Sequence, residues 1–223
     1  TKIDELAWVR LLYCYPRYFT DELIDLISQE PKICSYIDLP LQHINDEILQ
    51  AMNRRDKRYD IELLLTKIRR KIPGVAIRTS FIVGFPGETE QQFNELRDFV
   101  IQQKFDHVGV FTYSQEENTK AAGLANQISE TVKQDRYHEL MAIQSRNSEI
   151  INCSLEGKNF TILVEGRSDE QPEVVFGRTY REAPGVDGRV YVENAPESRP
   201  GDFIFAKIAQ GFAYDLVAEK IIK

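Results

Sequence analysis

Glycines and hydrogen-bonding side chains follow two apolar runs of this sequence, where binding chemistry is common. The stretch RTSFIVGFPGETEQQF, residues 78–93, carries Gly84 and Gly87 directly after an apolar run, and DLPLQH carries Gln42 and His43 after another. Glycine lets a backbone approach a ligand closely, and amide and imidazole groups supply hydrogen bonds. A plain strand-to-helix turn would also explain the Pro-Gly pair of the first motif. The sequence leaves both interpretations open.

The three cysteines give no sign of metal chemistry. Cys14, Cys34 and Cys153 are widely spaced, and no C-x-x-C pair occurs. Such spacing predicts neither a disulfide framework nor a complete cysteine-ligated metal site. We therefore expect buried free thiols, with Cys14 in the core in the middle of a strand, and no metal ligand among the cysteines.

The elements that must position these residues alternate between strand and helix patterns. Each crossover is long enough for a right-handed βαβ unit, so an α/β fold with a parallel sheet is expected. Asn45 and Thr89 are predicted N-caps because each precedes an acidic, amphipathic helical run. The predicted strands are 8–16, 35–41, 76–85 and 107–114, and the predicted helices follow Thr20, Asn45, Arg58 and Thr89.

The pattern changes after a long predicted helix over residues 129–155. This helix should pack through an apolar stripe at helical spacing. Short strands separated by Gly, Pro and Asp then follow, which predicts a small all-β, OB-like barrel or sandwich. We expect two domains, 1–155 and 156–223. The stripe comprises Val132, Tyr137, Leu140, Ile143 and Ile150.

The composition and net charge of the chain argue against a membrane protein and against one class of nucleic-acid-binding protein. The chain has 223 residues, 42% of them hydrophobic, and a formal net charge of -7. No apolar run approaches the roughly 18 residues of a membrane span, and no signal peptide is visible, so we expect a cytoplasmic protein with no membrane partner. The negative charge argues against a chain that clamps nucleic acid by phosphate neutralisation alone.

Period-two alternation predicts which side chains of the strand at 76–85 point toward a ligand. Arg78, Ser80, Ile82 and Gly84 share one face, and the residues between them share the other. Because Arg78 and Ser80 are polar, we expect their face to point away from the outer helices. For Arg78, an ion pair with Asp38 on the neighbouring strand is an equal alternative to ligand binding.

Four strings together resemble one known family. The succession RLLYCYP, YIDLPLQH, RTSFIVGFPGETEQQF and VGVFTYSQEENTKAA is similar to the second half of the radical SAM methylthiotransferases, followed by their C-terminal TRAM domain. The resemblance implies the C-terminal half of a partial TIM-type radical SAM barrel, then the small OB-like TRAM barrel. PLQH and VGVFTYSQEE resemble the branch that methylthiolates an aspartate of a small-subunit ribosomal protein.

The resemblance also implies cofactors and site residues. The family holds S-adenosylmethionine over a 4Fe-4S cluster and carries a second, auxiliary 4Fe-4S cluster. The CxxxCxxC ligands belong upstream, so this chain is expected to be inactive by itself. Ile82 and Gly84 match the family's adenine-contacting strand, and Gln42 and His43 match its ribose and methionine contacts. Gln42 could instead satisfy loop backbone, and His43 could belong only to the entry of the next helix. Arg78 could meet the cofactor carboxylate.

Two substrate classes remain open at this stage: a protein, or transfer RNA recognised through the TRAM domain. From Glu156 to Lys223 the sequence has nine Lys or Arg and twelve Asp or Glu, a net charge of -3. This balance favours a basic ribosomal protein as partner over nucleic acid. A local basic patch could still favour RNA. The loop acids are Asp169, Glu170, Glu173, Glu182 and Asp187, and the candidate patch is Arg178, Arg181 and Arg189.

Overall fold

The computed structural model describes residues 3–221. The chain divides into two compact units, one ending at Gln144 and one beginning at Ser145, so the division falls within the long helix. The sequence-based limits, 1–155 and 156–223, place the boundary a few turns later and stay a prediction. Residues 1, 2, 222 and 223 of those domains lie outside the described residues.

The first unit is an α/β structure with a four-stranded parallel sheet in the order β1-β2-β3-β4. Long helical crossovers join strands of the same direction, as the alternating sequence pattern predicts. The strands are β1 (Val9–Leu11), β2 (Ile33–Asp38), β3 (Ala76–Val83) and β4 (His107–Thr112). The helices are α1 (Asp21–Gln29), α2 (Asp46–Ala51), α3 (Arg58–Lys71), α4 (Glu90–Gln103) and α5 (Glu130–Cys153), with 3-10 turns at Pro16–Tyr18 and Ala121–Gly123.

Side-chain caps fix where the helices begin. Asn45 accepts hydrogen bonds from the backbone N–H groups of Glu47 and Ile48, and Thr89 forms a reciprocal capping box with Gln92. Each cap satisfies backbone donors that the first helical turn leaves unpaired. Both predicted N-caps are therefore confirmed.

The two faces of β3 differ as period-two alternation requires. Thr79, Phe81 and Val83 are fully buried on the helix side, and the Phe81 ring meets the Phe99 ring of α4 edge-on at 6.4 Å. Arg78, Ser80 and Ile82, which alternate with them, are half-buried. The helix side of the sheet is thus a packed core, and the opposite side remains open for polar groups.

The region after β1 differs from the prediction. The strand ends at Leu11, because Tyr13 adopts a left-handed conformation with φ of 56° and donates its N–H to the Asp38 carboxylate. Cys14 therefore lies after the strand and not within it; its side chain is half-buried and packs against the core. Burial and the negative charge of Asp38 raise the pKa of the Cys14 thiol.

Two further expectations about burial, for the cysteines and for the apolar stripe of α5, are confirmed only in part. Cys34 is buried as expected, but Cys153 is exposed at the end of α5. The apolar stripe of α5 is buried only at Leu140, with Tyr137 and Ile143 half-buried, whereas Ile150 is 60% exposed. The remaining stripe residue, Val132, is also exposed.

The second unit is a closed barrel with strand order β5-β6-β7-β9-β8. Its interior is filled by alternating apolar residues such as Val190 and Val192, both fully buried. All neighbouring strands are antiparallel except β7 and β9, which are parallel. The strands are β5 (Asn159–Arg167), β6 (Val175–Arg178), β7 (Val190–Glu193), β8 (Phe203–Gly211) and β9 (Leu216–Lys220). The predicted small all-β barrel is confirmed.

Candidate functional site

The turn after β2 holds Gln42 against the middle of β3. Gln42 N–H donates to Ser80 O, and Ile82 N–H donates to Gln42 O, both at 2.8 Å. Gln42 has a φ of 71°, a left-handed conformation that is uncommon for a residue with a side chain. Such strain is often retained at binding sites, where the surrounding hydrogen bonds enforce it. The turn therefore fixes the backbone of Gln42 beside β3.

A cleft of about 620 Å³ lies beside Gln42. Ile82, Phe85 and Met52 give it an apolar wall, and the Phe85 ring meets the Tyr113 ring at 5.3 Å. Its size and its apolar wall with a few amide groups are typical of a small-molecule pocket. The lining residues are Gln42, Gln50, Ala51, Met52, Asn53, Arg54, Ile82, Phe85, Tyr113, Lys120 and Ala121.

Arg54 in the cleft wall already has structural partners. Its Nη2 donates to Pro40 O at 2.7 Å, and its guanidinium stacks 4.5 Å above the Tyr15 ring. The Asp56 carboxylate lies 3.8 Å from its Nε. Arg54 thus holds the segment between β2 and Gln42 in place. Because its guanidinium is already engaged, its role at the cleft is structural.

His43 does not line the cleft. It is fully buried, and its Nδ1 accepts the backbone N–H of Asn45 at 3.0 Å. The hydrogen of the neutral ring therefore resides on Nε2, which lies 3.5 Å from Glu88 Oε1. The ring points into the protein toward Glu88, and the hydrogen bond from His43 to a cofactor stays a prediction.

Glu88 is the centre of a buried polar cluster that ties three segments together. Its carboxylate accepts the N–H of Gly84, and the Arg136 guanidinium of α5 lies 3.3 Å from Oε2. Arg136 also donates to the backbone O of Glu88 at 3.2 Å. Together with His43, these contacts hold the GFPGE loop in place. Glu88 and Arg136 were not predicted as site residues, since a charged residue in a loop or helix carries no local sign of burial.

Gly84 lies against α5, and its predicted contact with the cofactor stays a prediction. Its φ is 74°, and a Cβ at this position would overlap Cγ of Lys133 on α5. Lys133 continues past Gly84 and donates to Tyr113 O at 2.8 Å. The close approach at Gly84 is thus made by Lys133, and Gly84 does not line the cleft.

Arg78 and Ser80 share the open face of β3 with Ile82 but lie farther from the cleft. Arg78 is the register partner of Asp38 on β2 and of His107 on β4. Both interpretations of Arg78 stay predictions. Of the six predicted site residues, the structure brings Gln42 and Ile82 into the cleft wall and keeps Arg78 and Ser80 on the same face of the sheet.

The described part of the chain contains no group of three or more His, Cys, Asp or Glu side chains that could hold a metal ion. Across residues 3–221, no helix is long and apolar enough to span a membrane.

The charged residues of the barrel are arranged differently from the sequence-based expectation. Glu182 is buried, and its carboxylate accepts the N–H and the hydroxyl of Thr179. Asp187 accepts the N–H of Ala183 at 2.8 Å. Arg178 pairs with Glu165, and Arg181 is buried. Glu182 is therefore a structural residue, and Arg178 and Arg181 do not join Arg189 in an exposed basic patch.

Comparison with known families agrees with this architecture. The Radical SAM superfamily profile matches residues 3–100, and the TRAM domain profile matches residues 157–221. The solved structure of coproporphyrinogen III oxidase (HemN) from Escherichia coli, described as a radical SAM enzyme, has a similar fold with a TM-score of 0.54. That likeness covers 91% of this chain and 46% of the other at 16% identity, and it shows the fold alone.

The fold is thus part of a radical SAM barrel followed by a TRAM domain. The resemblance to the radical SAM methylthiotransferases that the sequence predicted is confirmed by these matches. It is 47% identical to ribosomal protein uS12 methylthiotransferase RimO of Trichlorobacter lovleyi and 48% identical to that of Geobacter sulfurreducens, each over 98% of this chain. The chain spans about half the length of the curated relatives it matches, 49% in both cases.

Proposed function

We propose that this chain acts as part of a radical SAM methylthiotransferase that adds a methylthio group to an aspartate of ribosomal protein uS12. The observation that carries the proposal is the similarity at 47% identity, which extends through both units of the chain to relatives named for that reaction. The cleft at the end of β3 adds a candidate site of suitable size. The protein would work in the cytoplasm, where ribosomal proteins are.

The cleft fits part of the cofactor that the family uses. Ile82 and Phe85 offer apolar surface to an adenine ring, and the side-chain amide of Gln42 offers hydrogen bonds to the ribose or methionine part of the cofactor. S-adenosylmethionine supplies the abstracting radical when bound. In this proposal the residues of this chain bind and orient the cofactor.

The iron-sulfur clusters do not fit the described residues, since no suitable ligand group occurs among them. We propose that both 4Fe-4S clusters of the enzyme are held by a CxxxCxxC segment and further cysteines outside this chain. Anaerobic reconstitution of this chain alone should then give no iron-sulfur absorption. Stoichiometric iron and sulfide on this chain would contradict that assignment.

A protein substrate is favoured over transfer RNA by the barrel's charges. Arg178 and Arg181 are occupied or buried, so they offer no cationic track for a phosphate backbone. Asp169, Glu170 and Glu173 stay exposed. We infer that the partner is basic, as ribosomal proteins are.

The experiment joins this chain to a segment that carries the CxxxCxxC motif and reconstitutes the clusters. The product is followed by mass spectrometry on uS12 and on transfer RNA, and we expect a methylthio group on uS12 alone. Ile82→Asn should weaken S-adenosylmethionine binding about tenfold or more, because a polar group replaces apolar contact surface. Ile101→Asn, on the exposed side of α4, is the matched control and should bind normally. Modified transfer RNA with unmodified uS12 would refute the proposal.

A further inference from the structure

The loop after β4 places a lysine at the cleft beside Gln42. Lys120 directly precedes the 3-10 turn at Ala121–Gly123, and both Lys120 and Ala121 line the cleft. Lys120 is exposed to solvent. In the part of the chain that the structure describes, its ammonium group has no ion pair and no hydrogen bond. Lys120 is therefore a cation at the cleft that is available to a ligand.

Two side-chain amides hold the backbone around Lys120 in place. Gln115 Nε2 donates to Ala122 O at 2.8 Å, and Gln127 Nε2 donates to Ala121 O at 3.1 Å. These hydrogen bonds tie the turn that follows Lys120 to the segments before and after it. The backbone of Lys120 is thus fixed beside the cleft, and its long flexible side chain can adjust to a ligand there.

The wall of the cleft carries positive charge and no negative charge. None of its lining residues that the structure describes is an aspartate or a glutamate, and its two cations are Arg54 and Lys120. Arg54 already donates to Pro40 O and lies 3.8 Å from Asp56 through its Nε. Of the two cations, Lys120 is thus the one that a ligand can pair with. An anionic group in the cleft would meet an unpaired positive charge and no like charge from the wall.

A carboxylate is the anion that the proposed reaction brings to this cleft. In an aspartate side chain, the only carbon that carries hydrogen is bonded directly to the carboxylate. A cation that holds the carboxylate by a charge-assisted hydrogen bond of about 2.7 to 2.9 Å therefore also fixes the carbon that receives the methylthio group. The side chains of Ile82 and Phe85, on the apolar wall of the same cleft, offer no competing hydrogen bond.

We propose that Lys120 binds the side-chain carboxylate of the substrate aspartate and so positions that residue beside the cofactor. The inference rests on the proposed function, because it takes the aspartate of uS12 as the substrate. In this role Lys120 favours aspartate over asparagine, since an amide carries no charge for the ammonium group. The methionine part of S-adenosylmethionine also carries a carboxylate, so the experiment must separate these two sources.

The test uses the cluster-reconstituted enzyme in which this chain is joined to a CxxxCxxC segment. Lys120→Gln should raise the KM for uS12 about fivefold, because a partly exposed ion pair is lost, and leave the Kd of S-adenosylmethionine unchanged. Lys120→Arg keeps the cation and should retain a KM near that of the wild type. Lys104→Gln is the charge-matched control. Lys104 is exposed between α4 and β4, at the end of β4 opposite the cleft.

A second substrate gives a readout that a merely structural role of Lys120 would not change. In this substrate, the aspartate of uS12 that the wild-type enzyme modifies is replaced by asparagine, and its affinity is measured by competitive inhibition. The wild-type enzyme should bind it about fivefold more weakly than uS12. Lys120→Gln should bind the two proteins with equal affinity, because the variant no longer distinguishes a carboxylate from an amide.

Loss of the preference for aspartate in Lys120→Gln, with normal S-adenosylmethionine binding, supports the proposal. A normal KM for uS12 in that variant would overturn it, and so would an equal loss in Lys104→Gln. Weaker S-adenosylmethionine binding in Lys120→Gln would also overturn it, because the cofactor carboxylate would then be the partner of Lys120. These results leave the proposed function intact. If the wild-type enzyme modifies no uS12, the proposed function fails and the assignment of Lys120 fails with it.

Discussion

The side chain of Lys133 occupies the place where a Cβ on Gly84 would lie. Gly84 directly follows β3, the strand whose open face carries the predicted site, and Lys133 belongs to the helix that closes the first unit. Lys133 also binds Tyr113 O, so one residue joins α5 to the ends of both β3 and β4. The position of the cleft wall thus depends on a contact that excludes every side chain at residue 84.

Gly84→Ala should destabilise the first unit by about 2 to 4 kcal/mol, because left-handed strain and the overlap with Lys133 add together. The free energy of unfolding in urea measures this. Gly87→Ala is the matched control, since Gly87 has a φ of 84° but open space around its Cβ position. It should cost only the strain, about 1 to 2 kcal/mol. In a Lys133→Ala background the cost of Gly84→Ala should fall toward that of Gly87→Ala, and an unchanged cost would contradict the overlap.

Arg136→Met should destabilise the first unit by about 3 to 5 kcal/mol, because it leaves the carboxylate of Glu88 buried without its cation. Urea unfolding measures the loss. Arg136 also contacts Glu90, but the Glu90 side chain is 72% exposed. Glu90→Gln should therefore change stability by less than about 0.5 kcal/mol. Equal losses of unfolding free energy in the two variants would show that the buried ion pair stabilises the protein no more than the exposed one.

Glu182→Gln should destabilise the barrel by about 1 to 3 kcal/mol, since an amide replaces a buried charged acceptor of two hydrogen bonds from Thr179. Thermal unfolding of the chain measures the effect. Glu173→Gln is exposed and should leave the melting temperature unchanged. A stable Glu182→Gln variant would argue that this carboxylate is replaceable.

The three thiols should react with maleimide in the order Cys153, Cys14, Cys34, following their exposure. The raised pKa of Cys14 means that its labelling rate keeps increasing with pH above the ordinary thiol range, as more thiolate forms. In a chain with Cys34→Ser and Cys153→Ser, Asp38→Asn should speed the labelling of Cys14 at pH 8. Removing the negative charge lowers the thiol pKa and so raises the thiolate fraction. A slower reaction in that variant would contradict this cause.

Local chemistry made much of the fold predictable. Asn45 and Thr89 mark helix starts because a cap acts within three residues of itself, and the alternation along β3 assigns its faces without any knowledge of its neighbours. The early end of β1 was not predictable in this way. Aromatic residues favour strands, but Tyr13 turns because Asp38, far away in sequence, binds its N–H.

The candidate site was predictable only in part for the same reason. Gln42 and Ile82 follow from strand ends and alternation. The burial of Lys133, Arg136 and Glu182 depends on partners brought together by tertiary folding, and their charge alone suggests exposed positions. The acids that remain exposed on the barrel could be separated from the structural ones only after those partners were known.

The position of β9 sets an order of events during synthesis. Leu216–Lys220 is inserted between β7 and β8, parallel to the first and antiparallel to the second. The barrel therefore has two open strand edges until residue 220 has left the ribosome, although β5 to β8 are already available. Closure pairs Val190 with Leu216, two residues with the whole of β8 between them in the sequence, and such non-local pairing slows folding. During that interval the exposed edges of β7 and β8 are the places where a nascent chain would need protection from aggregation.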